Sequence, residues 1–204
     1  MGVVKLSTAG ILDYQKYSSF LAGNSPVSLG AYDLLETEIL TGSQSSVTFS
    51  SLNSTYGADY QHLQLRMVTR DNRAISGTNN IRLQVNSDSG SNYADHGLYG
   101  NGSSVLSYAN TSESQFNALS INPSNSDTAD AFGAAVVDFL DCFETSKYLT
   151  IRSLSGVTVA AGSTIRLSSS VWMNTNALDT LLIYPSSASF VTGSRFSLYG
   201  LRSA

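Results

Sequence analysis

The sequence predicts an all-β fold, an antiparallel jelly-roll-like β-sandwich with an N-terminal arm. Three observations lead there. Across residues 46–99 apolar and polar residues alternate in successive runs: Val47 and Phe49, then Leu63, Leu65 and Met67, then Ile81, Leu83 and Val85. That is the period of strands with one buried and one wet face. Clusters of Ser, Asn, Asp and Gly separate the runs, as turns require. Ser and Thr together make up about a quarter of the chain, well above ordinary usage. Thr, Tyr and Val favour strands, and Ala/Glu/Lys helical blocks are missing.

Residues 1–30 stand apart. Val3, Val4, Leu6, Ile11, Leu12, Tyr14, Tyr17 and Phe20 are apolar without a sustained period, and the segment closes on the turn signal Gly23, Asn24, Ser25, Pro26. It reads as a first strand and loop or, more sharply, as an arm that anchors on or bridges to a partner, since so apolar a segment is uncomfortable alone in water. The sandwich domain is expected over 31–204. Its strands are predicted at 34–40, 46–52, 61–70, 80–86, 97–99, 115–121, 132–143, 148–154, 164–173, 180–184 and 195–201. Eleven short strands at this spacing indicate a sandwich or jelly roll. In 130–143 the set Ala134, Val137 and Leu140 also fits one face of a helix; strand neighbours and the β-branched Val136 and Val137 favour a strand. Residues 103–108 suggest a short helical turn.

Composition limits the function. With 204 residues, 42% of them hydrophobic, the chain can bury a core. Only 13% of residues are charged and the net charge is −4, with 11 Lys plus Arg. Nucleic-acid binding needs a basic surface to neutralise phosphates; a local patch of Arg66, Arg70, Arg73 and Arg82 is the only candidate, so no nucleic-acid partner is expected. No apolar run reaches the length of a membrane span, the N-terminus lacks the apolar stretch of a signal peptide, and Leu6 stands where a myristoylation site needs Ser or Thr. Neither a membrane partner nor a cofactor is expected.

The candidates for chemistry are few. Asn86, Asp88, Ser89, Gly90 and Asn92 form an oxygen-rich loop of the kind that can wrap Ca²⁺. Against an EF-hand frame its glycine comes one place early and Gly97 replaces the closing carboxylate, so a plain turn is expected and no metal. Asp138, Asp141 and Glu144 recur at i, i+3; paired carboxylates drive glycoside hydrolysis at a set separation, but strand end and turn explain them as well. The single Cys142 lies in an apolar run and is expected as buried filler; as a nucleophile it would need a base, and His62 and His96 are the only histidines. Two His and one Cys exclude a tetrahedral His/Cys zinc site within one chain. No catalytic residue is assigned and no enzyme is expected. Tyrosine is over-used, 11 against one Trp. Tyr56, Tyr60, Tyr93, Tyr99 and Tyr108 fall in or beside expected loops, and Tyr56, Tyr93, Tyr99 and Tyr108 are taken as loop contacts, because Tyr offers amphipathic contact area suited to interfaces and sugar stacking.

The run SSVTFSSLNSTYGADYQHLQLRMVTRDNRA resembles tailed-bacteriophage virion structural proteins. So, in order, do NSDSGSNYADHGLYGNGSSV, FGAAVVDFLD with TSKYLTIRSLSG, and SSSVWMNTNALDTLLIYPSSASFVTGSRFSLYGL. The likeness spans roughly 31–202. It implies a non-enzymatic, jelly-roll-like virion component: a capsid decoration (cement) protein, a tail protein or a fibre-tip module. Such a protein would be made in the host bacterial cytoplasm and sit on the particle exterior. It would self-associate, as a trimer about a capsid three-fold, and bind the major capsid protein or other virion proteins. The alternative implied is a tail-associated module that binds a host glycan. The absence of shaft repeats favours decoration.

Overall fold

The computed structural model describes residues 32–202, so the eight candidate arm residues, from Val3 to Phe20, lie outside the described residues. Among the described residues, twelve strands form two sheets. The larger contains, in spatial order, β1 (Asp33–Ile39), β12 (Arg195–Leu201), β3 (His62–Thr69), β8 (Gly133–Leu140), β9 (Leu149–Val157), β10 (Thr164–Trp172), β5 (Tyr93–Gly100) and β6 (Val105–Glu113). The smaller contains β2 (Val47–Phe49), β11 (Leu181–Pro185), β4 (Thr78–Val85) and β7 (Phe116–Pro123). The chain is an antiparallel β-sandwich, as expected. Its sheets are unequal, eight strands and four, where a jelly roll divides eight strands between two sheets.

The alternation seen in the sequence faces the core. Val47, Phe49, Leu63, Leu65, Met67, Ile81, Leu83 and Val85 are all buried in one core, with Phe196 and Leu198 of β12 and Val137 and Phe139 of β8 beside the β3 residues. Within 130–143 the strand reading holds for Gly133–Leu140, and the ends are turn and loop: β8 alternates buried and open residues throughout and pairs with β3 and β9. It ends where Asp141 turns left-handed (φ 49°), a conformation that Asp tolerates.

Two local expectations are corrected. The strand predicted at 46–52 stops at Phe49; Ser51 is left-handed (φ 60°) and opens the short helix α1 (Leu52–Tyr56), which drops Leu52 into the core. The helical turn predicted at 103–108 is instead the start of β6. Asn101 explains this. Its Oδ1 accepts the Ser103 and Ser104 N–H groups and, with Gly102 at φ +88°, folds the chain back into the β5–β6 hairpin.

Candidate functional site

The residues singled out in the sequence are mostly absorbed by the fold. In the 86–92 loop, Asn86 Oδ1 accepts the Asp179 and Thr180 N–H groups while its amide donates to Ala177 O. Asp88 accepts from Gly90 N–H, Asn92 Nδ2 and the indole of buried Trp172. Burial pushes the Asp88 carboxyl up, but hydrogen bonds led by Asn92 and Trp172 outweigh it and hold the pKa below its ordinary value. Protein donors already fill the oxygens a cation would need. Among the described residues no three His, Cys, Asp or Glu side chains are placed to hold a metal ion.

Of the three carboxylates, Glu144 is exposed and Asp138 and Asp141 are engaged. Asp138 accepts from Gln64 (2.8 Å) and Arg152 (3.0 Å). Asp141 accepts from Lys147 and from Gln61, and the Lys147 ammonium leads in holding its pKa below the ordinary value. A general acid needs the opposite shift. Nδ1 of His62 lies 2.8 Å from the Asp141 backbone N–H and 3.3 Å from the Asp141 carboxylate. Cys142 is buried, and burial pushes its thiol up to about 12, away from a reactive thiolate.

Two of the four arginines of the expected patch are tied inward. Arg70 is buried and donates to the Asn125, Thr128 and Ala131 carbonyls, and Arg73 grips buried Asp71. Arg66 lies over the Tyr199 ring at 4.5 Å.

The tyrosines divide. Tyr56, on α1, stays partly open and donates to Glu36. Tyr93 is a correction: it is a fully buried residue of β5 and cannot meet a partner. Tyr99 and Tyr108 are strand residues too, half-buried, and the Arg166 guanidinium sits 5.6 and 5.5 Å from their ring centres.

Arg166 belongs to a polar layer inside the sandwich. Asp95, Ser153, Ser155, Ser168 and Ser170 are buried on the inner face of the large sheet. Tyr108 Oη lies 2.7 Å from Ser168 Oγ, which reaches Ala118 O of β7, and Asn110 donates to Asp95. Small side chains here let the free edge of β7 settle onto the sheet, and the Ser168 hydroxyl occupies one of its carbonyls. Asp95 Oδ2, Ser155 Oγ and Arg166 Nε are nonetheless buried without a hydrogen-bond partner, and Asp95, Asn110 and Ser170 border a cavity of about 380 Å³.

The outer face of the same sheet is different. Strand register places two rows across it. The first is Val136, Leu154, Leu167 and Leu98, on β8, β9, β10 and β5. The second, two residues along each strand, is Ala134, Gly156, Ile165 and Gly100, flanked by Val68 of β3 and Val105 of β6. Leu154, Leu167, Leu98 and Ile165 are 52%, 50%, 54% and 61% exposed. With Val136, Val68 and Val105 they leave roughly 600–700 Å² of surface open, against about 300–600 Å² for the largest patch of a typical monomer. At the β6 side the face is concave: a groove of about 590 Å³ is lined by Leu98, Leu167, His96, Arg152, Ser107 and Ser169.

No protein-family model matches the chain, and no curated protein matches it.

Proposed function

We propose that this chain is a non-enzymatic structural protein of a tailed-bacteriophage particle, acting as a decoration (cement) protein on the capsid exterior. The observation that carries the reading is the apolar outer face of the large sheet, a broad surface for assembly in a protein whose titratable side chains are largely tied into structural contacts. The family likeness of the sequence supplies the setting. A protein that binds the assembled shell and not its separated parts stabilises the shell by mass action, and wide, flat sheet surfaces suit contacts across subunit seams. Its partners are further copies of itself and the major capsid protein or another virion protein.

The test is a count of copies per particle by quantitative mass spectrometry of purified virions. Hundreds of copies support decoration; a handful sinks it. Deleting residues 1–25 tests the anchoring role of the arm, which requires that the truncated protein lose particle attachment.

One observation favours a second reading, a tail-associated module for a host glycan. The groove beside Leu98 and Leu167 combines an apolar floor with His96, Arg152, Ser107 and Ser169, the mixture a sugar needs. Binding on a glycan array that is lost in Arg152→Ala and Ser169→Ala variants would support it.

A further inference from the structure

The glycines of the large sheet fall into two groups. A Cβ at Gly97 would stand 2.6 Å from Leu167 O, one at Gly133 2.7 Å from Ile121 O, and one at Gly200 2.4 Å from the Tyr60 ring. Those glycines are dictated by the fold. Gly100 and Gly156 are not. A Cβ there meets nothing closer than 3.8 and 3.7 Å, and neither has a positive φ. Glycine inside a strand weakens it, and an otherwise unexplained one marks a place where another surface comes close. Both face outward, one on each side of Ile165.

We infer that the outer face of the large sheet packs against the same face of a second copy of this chain. The two rows are complementary in shape. A two-fold axis in the plane between the faces, perpendicular to the strands and midway between the rows, sets each row over the other. Leu154 of one copy then lies over Gly156 of the second, Leu98 over Gly100, Val136 over Ala134 and Leu167 over Ile165. On β5, β8 and β9 a large side chain enters the space over a small residue, while on β10 Leu167 meets Ile165, in sheets stacked face to face about 10 Å apart. The same patch serves both subunits, which closed two-fold symmetry demands. At full coverage two faces of this size bury about 1,300 Å², the low end of the roughly 1,200–2,000 Å² of specific interfaces. This inference stands apart from the virion assignment, since it concerns the purified chain alone.

The test is sedimentation velocity on the full chain from about 1 to about 100 µM, the range in which an interface of this modest area should assemble. The wild type is expected to approach twice the 21.7 kDa of one chain. Leu154→Glu and, separately, Gly156→Leu are expected to stay at the mass of one chain at every concentration, with the wild-type circular dichroism spectrum and an unfolding midpoint like that of dilute wild type. Mixing Leu98→Cys with Gly100→Cys protein and treating it with a short bis-maleimide, long enough to bridge sheets about 10 Å apart, should give a mixed cross-linked dimer in excess of either protein alone. A wild type that is monomeric throughout, a trimer, or a dimer that both Leu154→Glu and Gly156→Leu leave intact overturns the inference. So does a dimer in which the cysteine mixture fails to cross-link. A monomeric wild type whose attachment to particles is abolished by Leu154→Glu would assign the face to a virion protein instead, and also overturns it.

Discussion

Replacing Tyr93 by Phe separates a core tyrosine from a contact tyrosine. The ring is fully buried and meets Phe116 edge-on, 4.8 Å between centroids. Its hydroxyl accepts the Val85 N–H at 3.0 Å and donates to Asp88 O at 2.8 Å. The reason lies in the β4 ladder. Asn86 N–H points to Thr180 O beside β11, so Val85 N–H points the other way, where β7 pairing has already ended at the Leu83–Phe116 pair. The tyrosine hydroxyl takes the place of the missing strand. Tyr93→Phe keeps the ring and its packing but strands a buried donor, which costs about 1–3 kcal/mol. At 2 kcal/mol, a domain of this size should lose about 4–8 °C in melting temperature. Urea unfolding followed by tryptophan fluorescence measures it; the midpoint should fall with the slope unchanged, while self-association and particle attachment stay at wild-type levels. A loss of less than about 0.5 kcal/mol, within the scatter of neutral surface changes, would refute the reasoning. So would a stable variant that no longer attaches.

Three further predictions rest on buried groups and on the glycines. Folding raises the Cys142 thiol from 9.0 to about 12 and the Tyr93 hydroxyl from 10.0 to about 12. The folded state therefore holds those protons more tightly, and stability, full below about pH 9, falls as pH rises toward 12; in urea titrations at stepped pH, Cys142→Ala should flatten the first part of the decline. Gly97→Ala forces a methyl against the Leu167 carbonyl and should cost about 1–3 kcal/mol, whereas Gly156→Ala should leave the unfolding midpoint of the dilute chain unchanged or slightly raised. Equal losses in the two would contradict the contact distances. Asp71→Ala removes the acceptor shared by Arg73, Asn79 and Asn122, leaving a partly buried guanidinium unpaired, and should cost about 3–5 kcal/mol by the same unfolding assay.

Legibility in the sequence followed burial contrast. β3, β4 and β8 have one face in the core and one more open, so Leu63, Leu65, Ile81, Leu83, Val137 and Phe139 announced themselves by alternation. β6 is open along most of its length and carries no such contrast, which is why residues 103–108 suggested a helical turn. Tyr93 was misplaced for a related reason: it follows a Ser/Asn/Gly cluster that reads as loop, and only the tertiary fold shows its hydroxyl completing the end of a ladder. The outer-face rows were harder still. Alternation in β10 would bury Ile165 and Leu167 and expose Arg166, Ser168 and Ser170, yet Trp172 shares the serines' parity and is fully buried. Period alone does not say which face is which, and a shift by one residue inverts every side chain.

That inversion is the strongest reason to look for function on the sheet surface. Around β9 and β10 the large sheet has its polarity reversed: Ser153, Ser155, Ser168 and Ser170 face inward, while Leu154, Leu167 and Ile165 face outward. Each half needs a cause, because burying hydroxyls and exposing leucines both oppose folding in water. The inward serines have one within the chain, since they are small enough to admit β7 and Ser168 bonds its free edge. The outward leucines have none. Nothing among the described residues covers them, and the two glycines that interrupt the row beside them answer to no intramolecular contact. A sequence that keeps leucines in water and glycines without local need, on one face and in register across four strands, is consistent with a face that is not in water when the protein works.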